Sequence, residues 1–405
     1  MIRLKDTIYF KSFQGLSKEI WLLSLVMLIN RSGAMVLPFL SIYLNLELGF
    51  SLFDCGIIMG CYGLGSVFGA LIGGFLTDKV GYFKVMFISL MLTAIAFFVV
   101  MVLNNFYFLC VGIFLLSLIA DAFRPANLTA IEAFSKKENM TRSLSLVRLA
   151  INLGYSLGPL MGGYIATILG YNFLFIFNGT AILIGGIVFY FLFKNKKQKT
   201  APDKLTKEQA EHLDMPWANK HYMIYLGLFT VTIIVFLQLL YTVPLFFKTD
   251  YGFSEAKIGI VMALNGLIIA IFEMPLIFTI EKIFRPVKLV VIGGILMGVS
   301  MLMLGCISHF LTAALLFTLF ITIGEILSFP FSNTYAMSFS KDHNRGKYMG
   351  LYTMTFSIAH VIGPMTGLTI AENFGFSTLW VASAVICIIA SLLILTTKMR
   401  KAQVR

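Results

Sequence analysis

Seven ionisable side chains stand inside otherwise apolar runs of this 405-residue sequence: Arg31, Asp121, Arg124, Arg148, Glu273, Glu325 and His360. A charge at the centre of a bilayer costs at least about 2.5–3.5 kcal/mol, so each of these needs a reason to be there. A buried carboxyl can carry a proton, because desolvation raises its pKa toward ambient pH. A guanidinium can hold a carboxylate or a phosphate. Asp121 and Arg124 stand one helical turn apart and are expected to pair, which keeps Asp121 ionised and serves structure as readily as function. Glu325 has no basic neighbour within a turn and is the first choice for a titrating acid. Glu273, just before Pro275, is the second. His360, near Gly363-Pro364, reads as a packed histidine.

The elements holding these residues are long apolar segments. The chain is 59% hydrophobic and 12% charged, against about 45–50% and about 25% in ordinary soluble domains. So much apolar surface has to face lipid. A helix needs roughly 20 residues to cross about 30 Å of hydrocarbon. Such runs lie near 20–46, 54–77, 84–103, 106–134, 141–168, 171–194, 221–248, 255–280, 286–306, 309–339, 343–371 and 376–398. Ten-residue alternating segments of the β-barrel kind are not the pattern. An all-α integral membrane protein of twelve transmembrane helices is expected.

The net charge of +12 is explained by topology rather than by nucleic acid. With both termini cytoplasmic, the inner loops collect Lys79, Lys84, Arg142, Lys196, Lys288, Arg345 and many others, while only Lys248 and Lys257 fall outside. That asymmetry is the positive-inside rule and predicts a multi-pass protein of the cell (inner) membrane, in contact with lipid. The first nineteen residues are mixed and charged, with no cleavable signal, and the first apolar run is long enough to remain as a span. Cys55, Cys61, Cys110, Cys306 and Cys387 lie in apolar runs without metal spacing, so no metal, cofactor or disulfide is expected. The lack of a nucleophile–base set or phosphate-binding loop argues against an enzyme.

One polar stretch, 194–220, separates six spans from six. It is expected to be a cytoplasmic linker, partly helical around Lys204–His212, between an N-terminal bundle (1–193) and a C-terminal bundle (221–405). The two halves repeat each other. Near an offset of 203, Gly49-Phe50-Ser51 matches Gly252-Phe253-Ser254; near 205, Pro125 matches Pro330, Gly158-Pro159 matches Gly363-Pro364, and Gly170-Tyr171 matches Gly375-Phe376. Parallel six-helix repeats predict a site near the bilayer midplane, between the bundles.

Three motifs carry a family resemblance. Gly74, Asp78, Lys79, Gly81 and Lys84 fit the G-x-x-x-D-(R/K)-x-G-(R/K)-(R/K) signature, with Tyr82 and Phe83 where basic residues are usual. Gly154, Gly158, Pro159, Gly162 and Gly163 match the G-x-x-x-G-P-x-x-G-G antiporter motif, and Gly33 with Pro38 is similar to a glycine-to-proline element in the first helix. The chain resembles the major facilitator superfamily, and within it the twelve-helix drug:proton antiporters. The usual mid-helix arginine of the fourth span has no match near Gly112; Arg124-Pro125-Ala126 lies further toward the cytoplasm.

The resemblance implies a cavity lined by helices 1, 4, 7 and 10, which places Arg31, Asp121, Arg124 and Glu325 there; Arg148, Tyr155, Gln238, Tyr241 and Asn265 join them as cavity candidates. It implies an alternating-access carrier working as a monomer, exporting amphipathic small molecules against protons. Three arginines also suit an alternative, a proton-coupled importer of an anionic nutrient such as a peptide or organic acid. A lipid-flipping or sensing role is a third reading. Asp78 is expected to cap the start of the eleventh helix near Asn344 and latch the cytoplasmic side. The glycine ladders Gly65-x-x-x-Gly69-x-x-x-Gly73 and Gly154-x-x-x-Gly158-x-x-x-Gly162 are expected to permit close helix contact.

Overall fold

The computed structural model describes residues 15–136, 139–196, 215–281, 283–340 and 344–397. In hydrocarbon a spanning segment must bond its own backbone amides, and these runs do so as helices. In chain order they are α1 (Lys18–Ser32), α2 (Val36–Ile42), α3 (Leu52–Val80), α4 (Tyr82–Met101), α5 (Phe106–Asp121), α6 (Phe123–Phe134), α7 (Met140–Leu169) and α8 (Asn172–Phe193). There follow α9 (Lys220–Tyr241), α10 (Val243–Thr249), α11 (Glu255–Ile280), α12 (Pro286–Cys306), α13 (Phe310–Met337) and α14 (Arg345–Ile394).

Among the described residues, eleven continuous or near-continuous helical stretches are long and apolar enough to cross a membrane. The last, Lys347–Ile394, has 48 residues, about 72 Å at 1.5 Å per residue, far more than one crossing needs. It breaks at Gly375, whose φ of 81° and ψ of 161° are non-helical, and so supplies two spans. The expected twelve-helix, all-α membrane architecture is therefore what the chain adopts. Exposed Phe75, Phe108, Ile168 and Phe374 are part of its lipid-facing surface.

Three spans expected to be continuous are each two helices. The first stops at Ser32 and resumes at Val36, because the Oδ1 of Asn178 accepts the backbone N–H groups of Met35 and Val36 at 3.1 and 3.3 Å. The fourth changes helix at Ala122 and the seventh at Thr242. In each case a proline (Pro38, Pro125 or Pro244) falls in the first turn of the second piece, where its missing N–H costs nothing.

The internal repeat is also conformational. Gly49 and Gly252 both have positive φ, 72° and 61°, as do Gly170 and Gly375, 96° and 81°. After each member of the first pair a serine caps the next helix: Ser51 Oγ accepts from Asp54 N at 3.0 Å, and Ser254 Oγ from Lys257 N at 3.3 Å.

The described chain forms two compact units, residues 1–36 with 65–202 and residues 37–64 with 203–405. In the first, α1 packs on α7 and α8, and α4 on α5, α6 and α8. Leu23, Met27, Met86, Leu90, Ile131 and Phe189 form part of its core. In the second, α12 packs on α13 and α14, α9 on α14, and α11 on α13. Tyrosines stiffen this unit: Tyr222, Tyr225 and Tyr335 are buried and donate to the carbonyls of Tyr348, Ser332 and Thr397 at 2.6, 2.9 and 2.7 Å, which satisfies the hydroxyl that burial would otherwise orphan. Between spans, burial, with a smaller effect from Asp250, pushes the Tyr251 phenol up to about 12, so it stays a donor to the Leu304 carbonyl at 2.7 Å. Of the linker, only its flanks are described, including a short 3-10 turn at Pro216–Ala218; the helix expected around Lys204–His212 lies outside the described residues.

Candidate functional site

In the first unit the antiporter-motif glycines set the position of the first intramembrane arginine. A Cβ added at Gly154 would lie 2.4 Å from the Cβ of Arg31, and one at Gly158 would lie 2.8 Å from the Ala34 carbonyl oxygen. α7 can therefore approach α1 only because these residues have no side chain. The contact brings the Arg31 guanidinium over the Tyr155 ring, 5.4 Å from its centroid, within cation–π range. Pro159, Gly162 and Gly163 are buried in the same helix. Arg148 is exposed on α7, seven residues before Tyr155 and so on the same face.

Asp121 ends α5 and is buried, while Arg124 begins the next helix and is exposed. Their side chains meet at 3.7 Å between Arg124 Nε and Asp121 Oδ1, the expected pairing. Asp78, Lys79 and Lys84 are exposed around the α3–α4 turn. Gly81 takes φ of 86° there, a conformation that favours glycine. Gly74 has no atom within 4 Å of where a Cβ would stand, so packing around it does not require a glycine.

In the second unit Asn265 of α11 reaches across to α13. Its Nδ2 donates to Thr322 Oγ1 at 2.9 Å and to Glu325 Oε2 at 3.2 Å, and Thr322 in turn donates to the Thr318 carbonyl at 2.5 Å. The acid selected from the sequence is thus held by an amide from a facing helix. Thr322 was missed in the sequence, although it stands one turn from Glu325 on the same face. Glu273, two turns beyond Asn265 on α11, is buried.

Gln238 and Tyr241 are buried and engaged with protein. Gln238 Nε2 donates to the carbonyls of Ile234 and Gly363 at 3.1 and 3.0 Å, and its Oε1 accepts from Thr242 Oγ1 at 2.5 Å. Tyr241 Oη lies 2.6 Å from His360 Nδ1. Among the described residues no group of three His, Cys, Asp or Glu could hold a metal ion, and the five cysteines are free.

A helical membrane protein with two repeats, glycine-seated spans and a few partnered intramembrane charges is built as a solute carrier. The Major Facilitator Superfamily profile matches residues 20–346 and 224–404, and the chain belongs to that superfamily; it is a multi-pass membrane transporter. It is 25% identical to the MFS-type transporter YttB of Bacillus subtilis (strain 168), over 90% of this chain and 91% of that one. It is 24% identical to the quinolone resistance protein NorA of Staphylococcus aureus (strain MRSA252), over 86% and 89%. The multidrug resistance protein MdtH of Blochmanniella pennsylvanica (strain BPEN) is 22% identical over 81% and 79%. Among solved structures, a POT family transporter in complex with 5-aminolevulinic acid superposes with a TM-score of 0.78 at 16% identity, over 95% of this chain and 96% of that one. At that identity the likeness is one of fold.

Proposed function

We propose that this transporter exports amphipathic small molecules in exchange for protons, by alternating access of two six-helix bundles (1–193 and 221–405) joined by the 194–220 linker. On this reading it works as a monomer in the cell membrane with both termini cytoplasmic, as its basic inner loops favour. The observation that carries the proposal is the Glu325–Asn265 pair. It is an intramembrane acid held by a neutral amide from a second helix, a setting in which a carboxyl can gain and lose a proton as the helices shift. Export is favoured by the antiporter-motif glycines seated on Arg31 and by relatives named for drug resistance. Arg31 with Tyr155 offers a cation beside an aromatic face, Arg124 and Arg148 are exposed, and Asp78 is read as the cytoplasmic latch.

Everted membrane vesicles with an imposed inside-acid gradient test this, using ethidium as a cationic amphipathic probe. Gradient-dependent accumulation inside them is the expected result. Accumulation only in right-side-out vesicles under an inward proton gradient would overturn export. The second reading, import of an anionic nutrient, is favoured by the exposed Arg124 and Arg148, since guanidinium groups suit carboxylates; a dipeptide probe in the same two preparations distinguishes it.

A further inference from the structure

Helix α3 carries two rows of glycine that serve different partners. Gly65, Gly69 and Gly73 face α5: added Cβ atoms would come within 2.0 Å of Ser117 Oγ, 2.3 Å of the Leu118 carbonyl oxygen and 2.4 Å of that of Ala122. Gly56, Gly60 and Gly63, nearer the start of the helix, face α14 instead. There the added Cβ atoms would meet the Pro364 carbonyl oxygen at 3.1 Å, Met365 Cγ at 2.9 Å and the His360 carbonyl at 2.5 Å. The change of partner falls between Gly63 and Gly65, where the chain passes from one compact unit to the other. At its other end the segment 37–64 begins just after the break in the first span. It is an element bounded by the break in the first span and by the change of glycine partner within α3.

The outer end of this contact is closed by one charged group. The first turn of a helix leaves N–H groups without internal acceptors. In α3 the local chain supplies two acceptors, since Ser51 Oγ takes Asp54 N at 3.0 Å and the Ser51 carbonyl takes Cys55 N at 3.0 Å. The N–H of Phe53 instead donates to Glu372 Oε2 at 2.5 Å, from a residue 319 positions away on α14. A carboxylate is also the charge that a helix N-terminus attracts.

We propose that Glu372 is a latch: its carboxylate holds the N-terminus of α3, and with it segment 37–64, against α14 on the face opposite the termini. The proposal rests on the alternating-access reading above, in which that face must open once per cycle. The bond is exposed to water, so it can be exchanged for hydration when the helices part. The glycine row beneath it brings the two backbones close enough for the carboxylate to reach. This is the reverse of the contact expected at the cytoplasmic side, where the end of α3 carries Asp78.

Hydrogen exchange on the full chain in lipid nanodiscs, without substrate or gradient, tests the latch. Exchange of peptides covering 52–60 is compared with that of 82–101 in α4 as an internal control. Glu372→Gln and Glu372→Ala are expected to raise exchange in 52–60 about tenfold, equivalent to about 1.4 kcal/mol, with 82–101 unchanged. Glu372→Asp is expected to restore most of the protection. Wild-type exchange in both Gln and Ala variants would overturn the proposal. So would a rise of equal size in 82–101, which reports a general loss of fold; if Ala alone does this, the isosteric Gln variant and the Asp rescue decide. Because no transport is measured, the latch can stand or fall whichever way the vesicle experiment comes out.

Discussion

At the scale of single residues, the polar side chains inside the spans divide by what they touch. Asn265 and Glu325 bond each other between helices, whereas Gln238 spends its amide and carbonyl on Ile234, Gly363 and Thr242. Sequence alone does not separate the two cases, because an amide in an apolar run looks the same whether it faces a cavity or a carbonyl 125 residues away. Gly367 makes the structural role of Gln238 testable. A Cβ there would lie 2.1 Å from Gln238 Oε1, so Gly367→Ala must displace the amide from its partners. Overpacking and a broken buried bond each cost about 1–3 kcal/mol. We expect Gly367→Ala to lower the detergent-solubilised melting temperature, and Gln238→Ala to relieve much of that loss in the double variant. Additive losses would show that the two residues are not coupled.

At the scale of elements, twelve spans were legible because hydrophobic length alone fixes them, and the Gly375 break was foreshadowed by its repeat mate Gly170. The breaks in the first, fourth and seventh spans were not read, although proline marks each. The reason is that Pro159, Pro275, Pro330 and Pro364 sit inside helices that continue through them. Proline permits a break, and in the first span a distant acceptor, Asn178, completes it. Glycine is similarly ambiguous until its neighbours are known. Gly69 would drive a Cβ to 2.3 Å from the Leu118 carbonyl oxygen, while Gly74, five residues on, meets nothing. Gly69→Ala is therefore expected to cost about 1–3 kcal/mol, read as a lowered melting temperature. Gly74→Ala should be neutral or slightly stabilising, by up to about 1 kcal/mol of helix propensity. If Gly74→Ala leaves stability intact yet stops transport, its place in the motif reflects a contact made in another conformation.

At the scale of the whole molecule, the proposed exchange turns on which acid would carry the proton. Asp121 is paired with Arg124 at 3.7 Å. Glu273 is buried within α11. Glu325 is tied to a neutral side chain on another helix, so a shift of α11 against α13 changes its surroundings and can change its proton occupancy. Glu325→Gln keeps the size and the hydrogen-bonding capacity of the side chain but removes the titration. In everted vesicles it is expected to abolish ethidium accumulation driven by an inside-acid gradient, by at least about tenfold, because coupling requires a group that cycles between two charge states. Downhill ethidium flux in the absence of a gradient should persist, since the substitution is isosteric and leaves the fold unchanged. Asp121→Asn should lose stability rather than coupling, by leaving Arg124 without its partner, and Glu273→Gln should retain gradient-driven accumulation. Full coupling in Glu325→Gln with loss in Glu273→Gln would move the proton site to α11, about two turns beyond Asn265, and leave the Asn265 contact a packing interaction.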